Sequence, residues 1–143
     1  MPTRRKRTSP RSELFELIGV LARRRHQAAE RSYAALGLNH TEARLLTMLA
    51  EEAGATTQDA LSRRIVVDRS NAGRAFKRLE QAGYVSRRKD DADSRTNLVA
   101  ITAKGRRAAA EVDELRREMA RTFFRDLTDA DAAAALALLR KAL

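Results

Sequence analysis

The chain has 143 residues, a hydrophobic fraction of 43% and a net charge of +10, which is material for about one domain around a single core. It contains no cysteine, so disulfides, thiolate metal sites and thiol-based redox sensing within the chain are excluded. Its apolar runs fall far short of the roughly 20 residues that span a bilayer, and no signal-peptide core follows the N-terminal arginines; a cytoplasmic location with no membrane partner is expected.

Aromatic residues make up 4% of the chain, while the abundant alanine, leucine and arginine favour helix, so a mostly α fold is expected. The charge is unevenly placed. Residues 1–11 carry Arg4, Arg5, Lys6, Arg7 and Arg11 and no acid, and residues 63–95 carry ten bases against five acids. The remaining bases and acids cancel. Clustering of this kind is the footprint of a polyanion partner, because each neutralised phosphate releases condensed counterions. A genome biased towards arginine would also raise the charge, without specifying a function.

Residues 1–12 hold both prolines and a basic cluster with no apolar partner, the composition of a disordered arm. Arg4, Arg5, Lys6 and Arg7 would there follow phosphates, enter a minor groove or stay solvated. From Glu13 to Gly37, Leu14, Leu17, Ile18, Leu21, Ala28, Ala29 and Tyr33 recur at helical spacing, the pattern of a helix with one buried face. Asn39 and Glu42 form a capping-box pair for a second helix with Leu45, Leu46, Leu49 and Ala50 as its stripe, closed by Gly54. Thr56 or Thr57 caps a short third helix resting on Ala60, Leu61 and Ile65.

Val66 and Val67 lead to Asp68, placed to cap a fourth helix over 69–82. Its inward stripe is Ala72, Ala75, Phe76 and Leu79, and its other faces carry Arg69, Ser70, Asn71, Arg74, Lys77 and Arg78. Gly73 sits inside it at a cost of about 1 kcal/mol relative to alanine, which suggests close approach of another backbone there. Gly83 ends the helix in the left-handed position, and residues 84–89 and 96–102 read as strands around the polar tip at 90–94. A fifth helix spans about 103–126, with Val112, Leu115, Met119 and Phe123 in step. Thr128 caps a sixth, with Asp129 and Asp131 at its start and Arg140 and Lys141 at its end complementing the dipole.

Residues 39–103 thus read as a winged helix-turn-helix, and residues 13–36 and 104–143 as helical flanks with more apolar surface than so small a core needs. The flanks are expected to pack against a second copy, although intramolecular packing would have the same periodicity. The fold class is mostly α with a small β-hairpin wing, flanked by N- and C-terminal dimerisation helices.

A helix in the major groove presents its first residues to base edges, which selects Arg69, Ser70, Asn71 and Arg74. Arginine suits the two acceptors of guanine and asparagine suits adenine, each pairing worth about 1–3 kcal/mol of discrimination. Lys77 and Arg78, a turn later, are expected at phosphate or in solvent. On the wing, Arg87, Arg88 and Lys89 would reach the backbone. At its tip, the Asp93 carboxylate would orient the Arg95 guanidinium towards the narrow minor groove, or form a surface ion pair worth under about 1 kcal/mol.

These residues resemble the MarR family of winged-helix transcription regulators. The family's wing signature of Asp-x-Arg, then Leu-Thr and a following glycine, is carried by Asp93, Arg95, Ile101, Thr102 and Gly105, with isoleucine in place of leucine. The likeness runs back through Leu61, Val67, Asp68, Arg69, Ser70, Arg74, Leu79, Glu80, Gly83 and Arg87. What the resemblance implies is a homodimer with interleaved terminal helices on a pseudo-palindromic operator, one recognition helix per half-site. It also implies repression of nearby genes, relieved by a small anionic, frequently aromatic effector. Arg25, His26, Tyr33 and Arg44 fall on helices bordering the family's ligand cleft, where ordinary surface or interface roles compete with anion binding.

His26 and His40, without cysteine or paired acids nearby, make a poor zinc site, and neither a metal nor a cofactor is expected. No glycine-rich phosphate loop, carboxylate pair or activated nucleophile is visible, so the chain does not read as an enzyme. The competing reading is an architectural, nucleoid-type DNA binder with a steep salt dependence and little sequence preference.

Overall fold

The computed structural model describes residues 9–65 and 69–143, with Arg69 described by its backbone alone. The basic cluster of Arg4, Arg5, Lys6 and Arg7, and the Val66, Val67 and Asp68 connection with its expected cap, lie outside the described residues.

Helix α1 spans Pro10–Ala34. It begins three residues inside the stretch read as a disordered arm, because Ser9 accepts the Ser12 amide at 3.2 Å and Pro10 occupies the first helical position, where its missing N–H and fixed φ cost nothing. It ends in a Schellman motif: Leu38 N donates to Tyr33 O and Gly37 N to Ala34 O, with Gly37 at φ +69°. Helix α2, His40–Glu51, carries the expected capping box, Glu42 N to Asn39 Oδ1 at 2.8 Å and Asn39 N to Glu42 Oε2 at 3.0 Å.

Thr56 and Thr57, read as caps, also form a short strand, β1, which precedes α3, Gln58–Ile65. Thr57 does both, since its Oγ1 accepts the Ala60 amide at 3.1 Å while its backbone pairs with Leu98. Helix α4 covers Arg69–Gln81 and ends in a second Schellman motif through Gly83 at φ +79°, with Tyr84 N on Leu79 O and Gly83 N on Glu80 O. Strands β2, Val85–Lys89, and β3, Asn97–Ile101, form the hairpin, and the antiparallel sheet has the order β1-β3-β2. Helix α5, Ala103–Phe123, starts at the Thr102 cap, and α6, Asp129–Leu139, starts at a Thr128–Asp131 capping box. A short 3₁₀ turn, Arg140–Ala142, follows.

Leu45, Leu46, Leu49, Leu61, Phe76, Leu79, Val99 and Val112 are fully buried and join α2, α3, α4, β3 and α5 into one core. The flanks differ from the expected buried stripe. Ala29 and Tyr33 of α1 are buried, whereas Leu14, Leu17 and Ile18 are exposed at 45–50% and Phe15 at 76%. Leu136, Leu138 and Leu139 on α6 are exposed as well. A helix stripe shows that a face is apolar, and the short core of this chain reaches only the C-terminal end of that face.

Gly105 closes the winged unit. A Cβ there would sit 2.0 Å from the Tyr84 carbonyl oxygen and 2.8 Å from Ile101 Cγ1. That carbonyl accepts from Thr102 N at 3.0 Å and from Thr102 Oγ1 at 3.1 Å, and the Gly105 amide donates back to Thr102 Oγ1 at 3.0 Å. The Ile101, Thr102 and Gly105 end of the signature therefore bolts the root of the wing to the head of α5, a packing role independent of any ligand.

Candidate nucleic-acid interface

Helix α4 divides cleanly around its axis. Ala72, Ala75, Phe76 and Leu79 are buried at 0–4%, while Ser70, Asn71, Arg74, Lys77 and Arg78 are exposed. The apolar stripe at three- and four-residue spacing forces this split, because only those positions share one face. Asn71 Oδ1 accepts from Arg74 Nη2, so two candidate reading side chains stand together one turn into the helix. Among the described residues no backbone outside its own helix approaches Gly73 within 4 Å. Its nearest neighbour among the described residues is the Gln58 side chain, with Nε2 3.7 Å from a built Cβ.

Arg78 stands on the exposed face and also reaches a partner in the core. Its Nε donates to Glu42 Oε1 at 3.0 Å, and Glu42 is only 2% exposed. Through Nε the arginine ties the last turn of α4 to the head of α2, while its side chain stays 62% exposed. Lys77 remains on the exposed face.

On the wing, strand parity separates residues that the sequence had grouped. Arg87 pairs in register with buried Val99, and its Nη2 donates to Glu80 Oε1 at 3.0 Å. The Arg87 guanidinium beside Glu80 holds that carboxyl below its ordinary range. Arg87 is thus turned to the α4 side, where Glu80 engages its guanidinium. Arg88, on the opposite face of the pleat, and Lys89 at the strand end are exposed, as alternation along a strand requires. Arg88 Nη1 has the Asp91 carboxylate at 3.9 Å, a surface pairing that constrains it weakly.

The tip is built from local side-chain turns. Asp90 Oδ1 accepts the Ala92 amide at 3.1 Å, and Asp93 Oδ1 accepts the Arg95 amide at 3.0 Å. The same Asp93 oxygen takes Arg95 Nε at 3.4 Å, with the arginine side chain 92% exposed. Asp93 therefore shapes the turn and points an otherwise solvated guanidinium.

A separate cavity of about 470 Å³ lies between α1, α5 and the head of α2, walled by Ile18, Arg25, Tyr33, His40, Arg116 and Phe123 among others. Of the expected cleft residues, Arg25 and Tyr33 line it. His26 and Arg44 do not line it, although the His26 ring lies 5.0 Å from the His40 ring. The sequence reading missed His40 and Arg116 as wall residues. Arg116 follows Val112 by four and precedes Met119 by three, so helical spacing had already placed it on that face. His40 titrates below its ordinary value of 6.5 because burial disfavours its charged form, with His26, Arg44 and Arg25 adding positive charge against the opposing Glu30. Among the described residues no group of three His, Cys, Asp or Glu side chains could hold a metal, and no helix is long and apolar enough to cross a membrane.

An exposed cationic helix held by its apolar face over a helix-turn-helix core, with a charged hairpin beside it, defines a winged helix-turn-helix protein. Residues 36–96, somewhat under half of the chain, match the model of the MarR family. The chain is 36% identical over 73 residues to the uncharacterized HTH-type transcriptional regulator YdgJ of Bacillus subtilis, covering 51% of this chain and 44% of that protein. The chain thus matches less than half the length of this curated relative. Among solved structures, a mutant of MarR from E. coli complexed with operator DNA superposes with a TM-score of 0.78 at 23% identity, over 92% of this chain and 94% of that one. The reduced form of the same protein gives 0.82 at 22% identity, over 96% and 99%.

Proposed function

We propose that this chain is a transcriptional regulator that binds double-stranded DNA as a homodimer, setting one α4 into the major groove of each half-site of a pseudo-palindromic operator. The observation that carries this reading is the division of α4, with an apolar face fully consumed by the core and Ser70, Asn71, Arg74 and Lys77 left outward. Arg69 opens the same helix. Arg88, Lys89 and Arg95 extend the cationic surface along the wing, towards phosphates and the adjacent minor groove. The E. coli protein of the same fold was solved with operator DNA, which favours this use of the surface.

The exposed apolar side chains of α1 and α6 support the dimer, since contiguous apolar surface of this kind is covered in stable soluble proteins. The cavity supports ligand-relieved repression. Its size suits a small molecule, its walls are largely apolar, and Arg25 and Arg116 supply charge for an anion. No step of this function is catalytic.

The test is selection of sites from random duplex DNA by the purified protein. An enriched inverted repeat bound about a thousandfold tighter than random DNA is expected, with Arg69→Ala and Asn71→Ala relaxing base preference at single positions. Binding without enrichment that fades steeply with salt would replace this reading with the architectural one.

A further inference from the structure

The recognition helix is gripped at its C-terminal half from two sides, by Arg78 to Glu42 of α2 and by Glu80 to Arg87 of β2. The second pair is half-exposed, but the first ends on a carboxylate buried in the core. Glu42 Oε1 takes Arg78 Nε at 3.0 Å and Asn39 Nδ2 at 3.2 Å, while Oε2 takes Asn39 N at 3.0 Å. A capping box needs none of this burial. The equivalent box at the head of α6 stays in solvent, where Asp131 bonds to Thr128.

Glu42 therefore does more than cap its own helix. It touches both the head of α2, whose first residue His40 walls the cavity, and the last turn of α4, one turn beyond Arg74. The next polar link back from Asn39 is also in place, because His40 N donates to Glu30 Oε1 of α1 at 2.9 Å.

We propose that Glu42 is a positioning residue for DNA reading, acting through Arg78 to set the attitude of α4. A tilt of the α2 head reaches the reading residues through this pair, which makes it the joint between cavity and groove. The inference rests on the reading of α4 as the DNA-contacting helix. Glu42 itself touches no DNA.

The experiment is a double-mutant cycle on the full chain with Glu42→Gln, Arg78→Gln and the pair. Affinities for the selected operator and for random duplex, and the thermal midpoint, are measured at one salt concentration. Glutamine keeps the capping oxygen and removes the charge. Each single variant is expected to lower the operator-to-random ratio about tenfold, and the double variant no further than the larger single, as for residues acting as one unit. Arg78→Lys, which keeps the charge in a different geometry, restores part of the ratio. Additive losses, or a lowered midpoint with the ratio within about twofold of wild type, would overturn the positioning role. Should Glu42→Gln fail to fold, the exposed Arg78 variants carry the same comparison. A wild-type protein without operator preference would overturn the DNA-reading function itself, whereas a wild-type preference that survives Glu42→Gln overturns only the role of Glu42.

Discussion

Replacing Gly105 by alanine tests the joint between wing and flank, and the same substitution at Gly73 supplies its control. At Gly105 the new Cβ meets the Tyr84 carbonyl oxygen at 2.0 Å, more than an ångström inside ordinary contact, with Ile101 Cγ1 at 2.8 Å. Moving the carbonyl that far breaks both bonds it accepts from Thr102, at about 1 kcal/mol each. Overpacking adds about 1–3 kcal/mol, and the helix-propensity gain of alanine returns up to about 1 kcal/mol. The expected net loss is about 2–5 kcal/mol, or on the order of 10 °C in the melting midpoint. At Gly73 the nearest atom is a flexible amide at 3.7 Å, so alanine fits and stabilises by about 0.5–1 kcal/mol. Urea and thermal unfolding followed by circular dichroism, at equal chain concentration, give both numbers. A Gly105→Ala protein as stable as wild type would refute the close approach of the Tyr84 carbonyl.

Arg88→Ala should weaken operator and random DNA alike by a few-fold and lower the salt slope by about 1. Arg87→Ala should instead cost about 1 kcal/mol of stability through the lost Glu80 pair; titration and unfolding of both variants separate the two roles, and identical behaviour would contradict the strand parity. Stability should fall as the pH drops from about 6.5 towards the depressed His40 value, because in that window the unfolded chain binds the proton that folded His40 refuses. Urea midpoints at neutral and mildly acidic pH should converge in His40→Gln, and an unchanged difference would remove His40 as the cause. Leu17→Asp, on the exposed stripe of α1, should leave the helix content intact and halve the mass seen by sedimentation; a dimer that persists would exclude that face from the interface.

Much of the candidate site is legible in the sequence because it depends on local rules. Asn39 and Glu42 fall three residues apart at a helix start, Gly37 and Gly83 occupy left-handed positions at helix ends, and Ala72, Ala75, Phe76 and Leu79 can share only one face of α4. Strand β1 was not legible, since two threonines carry no period and their pairing with Val99 and Leu98 lies some forty residues away. The ion pairs of Arg78 and Arg87 were not legible for a related reason. Composition marks both as cations, but the carboxylates that claim them, Glu42 and Glu80, are set against them only when α2, α4 and β2 pack together.

By itself, the order of residues determined which segments are helical, where they start and stop, and which face of the recognition helix is apolar, because caps, left-handed glycines and 3.6-residue periodicity act within a few residues of chain. Only the tertiary structure decided which charges are spent internally and which face outward, where a glycine is required and where it is merely tolerated, and which part of an apolar stripe the chain's own core covers. Those outcomes depend on distances between segments remote in sequence: Gly73 and Gly105 are alike as letters, and the difference between them is a carbonyl oxygen that the fold delivers to one and not to the other.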